Sequence, residues 1–195
     1  MAGSAEPRAV SETPKRAVFL DRDGVLNTAK VVDGVPHPPR SVEEMEILPG
    51  VPEACSRLHD AGFVLVMVTN QPDVARGRST AQTVREINAA VSTAAGLDDV
   101  RVCFHDDDAS CACRKPNPGM LLDASRELSL ELSESYLVGD RWRDIEAGHR
   151  AGVQTVFIDY GYQESNQVIP AKTVRDLTEA SEWIITQANS EGGEL

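Results

Sequence analysis

The sequence AVFLDRDGVLN, residues 17–27, joins a short apolar run to two acidic residues separated by one arginine. Its apolar part, residues 17–20, is continuous rather than alternating, which is typical of a strand buried on both faces. Four further runs share this character: residues 63–68, 100–103, 136–138 and 153–158. Segments with helical spacing alternate with these runs. The pattern predicts a doubly wound, Rossmann-like α/β fold around a parallel sheet.

Four segments carry apolar residues at helical spacing. The first ends at Gly62, a residue that favours helix termination. The second begins with a capping-box sequence at residues 79–82, and the third begins at Asn117 and Pro118. The last helix carries Leu177, Ala180 and Ile184.

Length and charge limit the possible functions. The chain has 195 residues, with 31 acidic and 19 basic side chains and a formal charge of −12. We predict one domain over residues 16–188, between mobile segments at residues 1–15 and 189–195. An acidic chain is poorly suited to nucleic acid or an anionic membrane, and we find no signal peptide or membrane span. We therefore expect a cytoplasmic protein without nucleic-acid or membrane partners. A monomer is the default expectation for its oligomeric state.

Acidic side chains follow two of the predicted strands. Asp21 and Asp23 come directly after the first strand, and Asp140 follows the fourth. Because the carboxyl ends of parallel strands meet at one sheet edge, their oxygens could converge on a hard cation such as Mg²⁺. An Asx turn at Gly24 is the alternative for the first pair. Asp144 fits either this cluster or the first turn of a helix.

Groups that can bind phosphate follow the second and third strands. Thr69 and the backbone amides after it can donate to a phosphate oxygen, although a hydroxyl at a strand end also has a simple structural explanation. Arg76 and Arg78 lie on a loop, where solvated surface charge is the alternative. After the third strand, Lys115 beside the carboxylates could stabilise a transferring phosphoryl group, and Arg114 precedes it.

Three cysteines and one histidine surround an acidic loop. Cys103, His105, Cys111 and Cys113 provide a complete tetrahedral ligand set for Zn²⁺. Cys55 is explained as a small apolar residue on its helix. The C-x-H and C-x-C spacings depart from the commoner C-x-x-C pair, and unpaired reduced thiols are the alternative.

Four motifs, in this order along the chain, resemble those of the haloacid dehalogenase (HAD) superfamily: DRDGVLN, VTNQ, CRKP and VGDRWRD. The cysteine and histidine pairs before RKP are similar to the zinc loop of the branch that contains heptose bisphosphate and histidinol-phosphate phosphatases. The resemblance spans residues 17–158 and implies a HAD fold with a minimal cap and a zinc-binding loop.

The resemblance also implies residue roles. Asp21 would be the nucleophile that forms an aspartyl-phosphate, and Asp23 would be the general acid and then the base. Asp21, the backbone carbonyl of Asp23, and Asp140 would hold Mg²⁺. The implied phosphate contacts are Thr69, Asn70 and Lys115, the implied substrate contacts are Asn27, Gln71, Arg76 and Arg114, and the implied zinc ligands are Cys103, His105, Cys111 and Cys113.

The implied substrate is a small phosphorylated metabolite. A heptose bisphosphate is the first expectation, and histidinol phosphate or another sugar phosphate is the alternative. Residues 28–40 would lie over this substrate. A zinc-stabilised binding module is the non-enzymatic alternative, but such a module has no need for crowded carboxylates.

Overall fold

The computed structural model describes residues 15–32, 35–162 and 168–191. Within these ranges the strands are Arg16–Leu20 (β1), Lys30–Val32 (β2), Val35–His37 (β3), Phe63–Asn70 (β4), Asp99–Cys103 (β5), Tyr136–Gly139 (β6), Gln154–Ile158 (β7) and Lys172–Val174 (β8). The α-helices are Val51–Asp60 (α1), Ala81–Ala95 (α2), Gly119–Leu128 (α3), Trp142–Ala151 (α4) and Leu177–Glu191 (α5).

Six strands form one parallel sheet in the order β5-β4-β1-β6-β7-β8. The chain builds outward from β1 through β4 to β5, and then returns to β6 on the other side of β1. This reversal leaves a crevice at the carboxyl ends of β1 and β6, where sheets of this type bind ligands. The predicted α/β fold is confirmed.

Both faces of the sheet are covered by apolar layers. Val18 and Leu20 pack with residues of α1, α2 and α5, whereas Ala17 and Phe19 pack with residues of α3 and α4. All four side chains are fully buried. Burial on both faces explains why β1 is continuously apolar in sequence.

A small antiparallel hairpin, formed by β2 and β3, follows β1 and lies within residues 28–40. This hairpin and β8 were not predicted, because strands of three residues are too short to show a periodic pattern.

The start of α2 also differs from the prediction. Thr80 caps the helix by accepting a hydrogen bond from the Thr83 amide, so the capping residue is not Ser79.

The folded region extends slightly beyond residues 16–188. Lys15 exchanges backbone hydrogen bonds with Ser129 and Glu131, and α5 continues to Glu191. The rest of the two segments predicted to be mobile, residues 1–14 and 192–195, lies outside the described residues. Among the helices that the structure describes, none combines the length and apolar character needed to cross a bilayer.

Candidate active site

A polar cleft of about 360 Å³ opens at the carboxyl ends of the central strands. Acidic, basic and hydroxyl groups from separate chain segments form its floor: Asp21, Thr69, Lys115, Asp140 and Asp144. Arginines form much of its rim: Arg76, Arg78, Arg114, Arg141 and Arg143. The hairpin side contributes Pro36, His37 and Pro38, so part of residues 28–40 lies at the cleft as expected.

Lys115 is the positive centre of the cleft floor. Its buried Nζ donates to Asp21 Oδ1 at 2.8 Å and to the Val68 carbonyl oxygen at 2.7 Å, and lies 2.5 Å from Asp144 Oδ1. These acceptors match the three N–H groups of an ammonium. Burial lowers the pKa of Lys115, but the charges of Asp144 and Asp21 outweigh this effect and raise the pKa above its usual value. Lys115 is therefore a fixed cation.

Asp21 and Asp140 are crowded carboxylates. Burial raises the pKa of Asp21 to about 6, against the attraction of Lys115. Burial, followed by the charges of Asp21 and Asp144, raises the pKa of Asp140 well above its usual range. Both carboxylate oxygens of Asp140 are buried without a hydrogen-bond partner in the part of the chain that the structure describes. Such a carboxylate is stabilised by a bound cation.

The same carboxylates have the geometry of a cation site. One oxygen each from Asp21, Asp140 and Asp144 lies within 4.8 Å of the others. Few carboxylates, with room for water and phosphate oxygens in an open cleft, suit Mg²⁺. Gly24 permits this arrangement, because its φ is +88° and a Cβ there would lie 2.3 Å from Asp140 Oδ2. A side chain at residue 24 would displace the Asp140 carboxylate.

Asp23 is held by side chains beneath the cleft. Its Oδ1 accepts from Arg22 and Asn27, and its Oδ2 accepts from Arg22 and Gln71. The hydrogen bonds of the Asp21 and Asp23 carboxylates in the described structure go to side chains, which favours the cluster over the Asx turn. Gln71 lines the cleft, whereas Asn27 is not among its lining residues. The substrate contacts expected of both stay predictions. Both residues are buried, and their amide nitrogens are committed to Asp23.

The phosphate contacts predicted at the end of β4 divide into two groups. Thr69 lines the cleft, and its hydroxyl accepts a hydrogen bond from Gln71 at 2.9 Å. The Asn70 side chain instead bonds both backbone groups of Lys115, at 3.0 Å and 3.1 Å. Asn70 therefore positions Lys115 through its side chain. It also lines the cleft, and its expected phosphate contact stays a prediction.

Asp144 fulfils both of the roles that the sequence left open. Its Oδ2 accepts from the Arg141 amide at the start of α4, and its Oδ1 pairs with Lys115. The helix-terminal acid and the member of the carboxylate cluster are therefore the same residue. Gly139 makes room for it, because a Cβ on Gly139 would lie 2.2 Å from Asp144 Cβ.

The arginine rim is organised by an acidic loop. Arg76 makes a two-point contact with Asp106, at 2.8 Å and 2.5 Å. Arg114 is only 6% exposed, and its Nε and Nη2 reach Asp107 at 3.0 Å and 2.7 Å. Arg143 lies 3.4 Å from the same carboxylate. Arg141 and Arg143 were not predicted as cleft residues, although RWR directly after Asp140 was an available signal.

The cysteine and histidine cluster lies at the end of β5 and in the loop before Lys115. Its four ligand atoms lie within 4.8 Å of one another, with Cys113 Sγ at 3.0 Å from Cys103 Sγ and 3.3 Å from His105 Nδ1. Ligand bonds of about 2.0–2.3 Å give a tetrahedron with edges of this order. Burial raises the pKa of the Cys103 thiol to about 12 when no cation is present. The cluster could hold Zn²⁺, whose charge would favour the thiolates.

Cys55 has the structural role expected from the sequence. It is fully buried on α1 within the core. Burial raises the pKa of its thiol to about 12, so it stays protonated at neutral pH.

Comparisons with known proteins point to one group of enzymes. A HAD-hydrolase-like family model matches residues 112–180. The D-glycero-beta-D-manno-heptose-1,7-bisphosphate 7-phosphatase of Yersinia pestis is 37% identical over 151 residues, covering 71% of this chain and 77% of that protein. The D-glycero-D-manno-heptose-1,7-bisphosphate 7-phosphatase of Thermosynechococcus vestitus is 36% identical, covering 89% and 97%.

A solved structure is similar over nearly the same length. The D,D-heptose 1,7-bisphosphate phosphatase from B. bronchiseptica, complexed with magnesium and phosphate, superimposes with a TM-score of 0.77. It is 30% identical, and the match covers 88% of this chain and 99% of that one.

Proposed function

This chain belongs to the HAD superfamily of phosphatases, and from that premise we propose that it removes the 7-phosphate of D-glycero-D-manno-heptose 1,7-bisphosphate. The observation that carries the chemistry is the buried Asp21 carboxylate, paired with Lys115 at 2.8 Å on the floor of an open cleft. The names of the relatives support the substrate.

Asp21 is the proposed nucleophile. One of its oxygens attacks the phosphorus, the bond from phosphorus to the sugar oxygen breaks, and Asp23 gives that oxygen its proton. Water then attacks the aspartyl-phosphate and passes a proton to Asp23, which releases Asp21 and inorganic phosphate. Lys115 offsets the negative charge of the phosphoryl oxygens.

The proposed Mg²⁺ site uses Asp21, the backbone carbonyl of Asp23, and Asp140. The ion would neutralise charge on the carboxylates and the phosphoryl oxygens. The two orphaned, buried oxygens of Asp140 support this assignment. Asp144 pairs with Lys115 at 2.5 Å and so holds this cation beside Asp21.

Zn²⁺ is proposed as a structural ion rather than a catalytic one. Four protein ligands, Cys103, His105, Cys111 and Cys113, leave no open position for a reacting water. Arg114 and Lys115 directly follow Cys113 in sequence. A closed zinc site would therefore fix the backbone from which both cations extend into the cleft. The cytoplasmic location and the monomeric state stay predictions from the sequence.

The second phosphate of the substrate would bind at the rim. A guanidinium can hold a phosphate through two parallel hydrogen bonds. Arg114 presents such a pair, Nε and Nη2, toward the cleft, where both now contact the half-exposed Asp107. A phosphate there would take the position of this carboxylate. Arg76 and Arg78 would add positive charge on the same side.

Phosphate release from a small set of monoesters tests the proposed function. We expect the highest kcat/KM for heptose 1,7-bisphosphate, a lower value for heptose 7-phosphate, which lacks the second phosphate, and the lowest for histidinol phosphate, which lacks both the second phosphate and the sugar. Preference for histidinol phosphate would replace the proposed substrate. Equal, slow turnover of every monoester would contradict recognition of the substrate by the arginine rim.

A further inference from the structure

Arg22 lies between the two aspartates of the first loop, yet its side chain points away from the cleft. It is fully buried, and it is the largest fully buried side chain in the described part of the chain. Its backbone carbonyl accepts from the amides of Leu26 and Asn27, at 2.9 Å and 3.0 Å, which fixes the turn after Asp21. Burying a guanidinium is costly unless it is paired. The placement of Arg22 therefore depends on its partners.

The guanidinium has two partners, one on each side. Nε and Nη2 reach both oxygens of Asp23 at 2.9–3.2 Å. Nη1 donates to Asn88 Oδ1 at 2.7 Å. Asn88 is itself buried on α2, 66 residues further along the chain, and does not line the cleft. Among these hydrogen bonds, the link between α2 and Asp23 therefore runs through Arg22 alone.

These contacts set the orientation of Asp23 together with the amides of Asn27 and Gln71, which donate to the same carboxylate. Its side chain is 18% exposed, whereas that of Arg22 is fully buried. With Arg22 anchored to α2, the carboxylate is held against rotation about its own side-chain bonds. Proton transfer needs the donor within hydrogen-bond reach of the leaving oxygen, and a displacement of about 1 Å can cost about 100-fold in rate.

We propose that Asn88 and Arg22 are positioning residues that hold Asp23 in the orientation needed for proton transfer. Neither touches the substrate. The proposal rests on the proposed phosphatase chemistry but not on which sugar phosphate is the substrate. It assigns a buried asparagine on α2 to the reaction, although α2 carries none of the four sequence motifs.

The test compares two leaving groups in the full-length protein. Asn88→Leu keeps the volume and removes the acceptor of Arg22, whereas Asn88→Asp keeps an oxygen at that position. Phosphate esters of an aliphatic alcohol need a proton on the leaving oxygen, whereas p-nitrophenyl phosphate does not. Val91→Ala is the matched control, because Val91 is buried on the same helix and has no polar side chain.

For Asn88→Leu, kcat/KM on the alkyl phosphate should fall about tenfold or more, while kcat/KM on p-nitrophenyl phosphate stays within about threefold. Dephosphorylation also needs Asp23, so p-nitrophenol should appear in a burst. Asn88→Asp should restore most of the alkyl activity. Val91→Ala should change both substrates by the same factor.

An equal loss on both substrates, or no loss on either, would overturn the positioning role and leave the phosphatase function intact. Wild-type protein that releases no phosphate from any sugar phosphate, heptose 1,7-bisphosphate included, would contradict both the phosphatase function and the positioning role. Circular dichroism establishes that each variant is folded. If Asn88→Leu does not fold, Asn88→Ala removes the same acceptor with less crowding and must show the same dependence on the leaving group.

Discussion

The floor and the rim of the cleft both pair acidic with basic side chains, but they differ in how far these side chains are exposed. On the floor, Asp21 extends from a strand end and Lys115 from the loop after Cys113. Both side chains are buried, with little exposed area. On the rim, the side chains of Arg78 and Asp107 are 68% and 54% exposed. Charge pairs at low dielectric interact strongly, whereas exposed pairs contribute about 0–1 kcal/mol. The floor is therefore suited to chemistry and the rim to selecting among substrates.

The largest effect should follow from a change on the floor. Asp21→Asn preserves the shape of the side chain and removes the nucleophile, so turnover should fall by more than about 100-fold while the protein stays folded. Steady-state phosphate release and thermal melting measure the two quantities. A residual rate above about one hundredth of wild type would contradict covalent catalysis by Asp21.

Loss of the zinc ligands should disturb both regions, because the loop supports Arg114 and Lys115. Cys111→Ser should lower the zinc content from about one equivalent and reduce activity even at saturating Mg²⁺. We also expect the melting temperature to fall by about 5 °C or more, since a loss of 1 kcal/mol in the free energy of unfolding lowers it by about 2–4 °C in a domain of this size. Cys55→Ala is the control, because that thiol lies in the core outside the cluster. Zinc-free wild-type protein with unchanged melting and activity would leave these residues as ordinary thiols.

On the rim, the buried arginine should matter more than the exposed one. Arg114→Ala should reduce the preference for heptose 1,7-bisphosphate over heptose 7-phosphate by about one to two decades of kcat/KM, since a charge-assisted hydrogen bond contributes about 1.5–3 kcal/mol. Arg78→Ala, at a largely exposed side chain, should change the same ratio by less than about threefold. A larger effect of Arg78→Ala than of Arg114→Ala on this preference would contradict the distinction between the buried and the exposed cation.

The smallest expected effect is on stability. The folded-state pKa of Asp21 is raised to about 6 from 3.8, so the native protein binds this proton more tightly than the unfolded chain does. Its contribution favours folding below pH 4 and is lost as pH rises toward 6 and above. Asp140 acts in the same direction. Mg²⁺ should therefore raise the melting temperature by more at pH 7.5 than at pH 5, and an equal rise at both would contradict a cation bound by these carboxylates.

The catalytic floor could be predicted from the sequence because its position follows from strand order. Asp21 and Asp140 directly follow buried apolar strands, and parallel strands bring their carboxyl ends to one edge. Lys115 was found through its motif. Local sequence was sufficient for these residues, since each belongs to a strand end or loop that the apolar pattern already locates.

Contacts that depend on tertiary packing could not be predicted. The hydrogen bonds that Asn27 and Gln71 donate to Asp23 are one example, since the sequence indicated neither of them. Arg22 and Asn88 meet only after α2 packs on the sheet, and no local pattern indicates which helix residue will face a buried arginine. The acidic loop that organises the rim was recognised as acidic, but its pairing with three arginines depends on the path of a loop.

Trapping the covalent intermediate tests most directly whether the floor carries the chemistry. Wild-type protein mixed with substrate, quenched in acid within one turnover and digested should yield a peptide containing Asp21 with the added mass of one phosphoryl group. With p-nitrophenyl phosphate, whose leaving oxygen needs no proton, Asp23→Asn should accumulate more of it, because water activation is impaired, and Asp21→Asn should yield none. A phosphoryl group on a different residue, or turnover by wild type with no phosphorylated peptide at any quench time, would contradict the account.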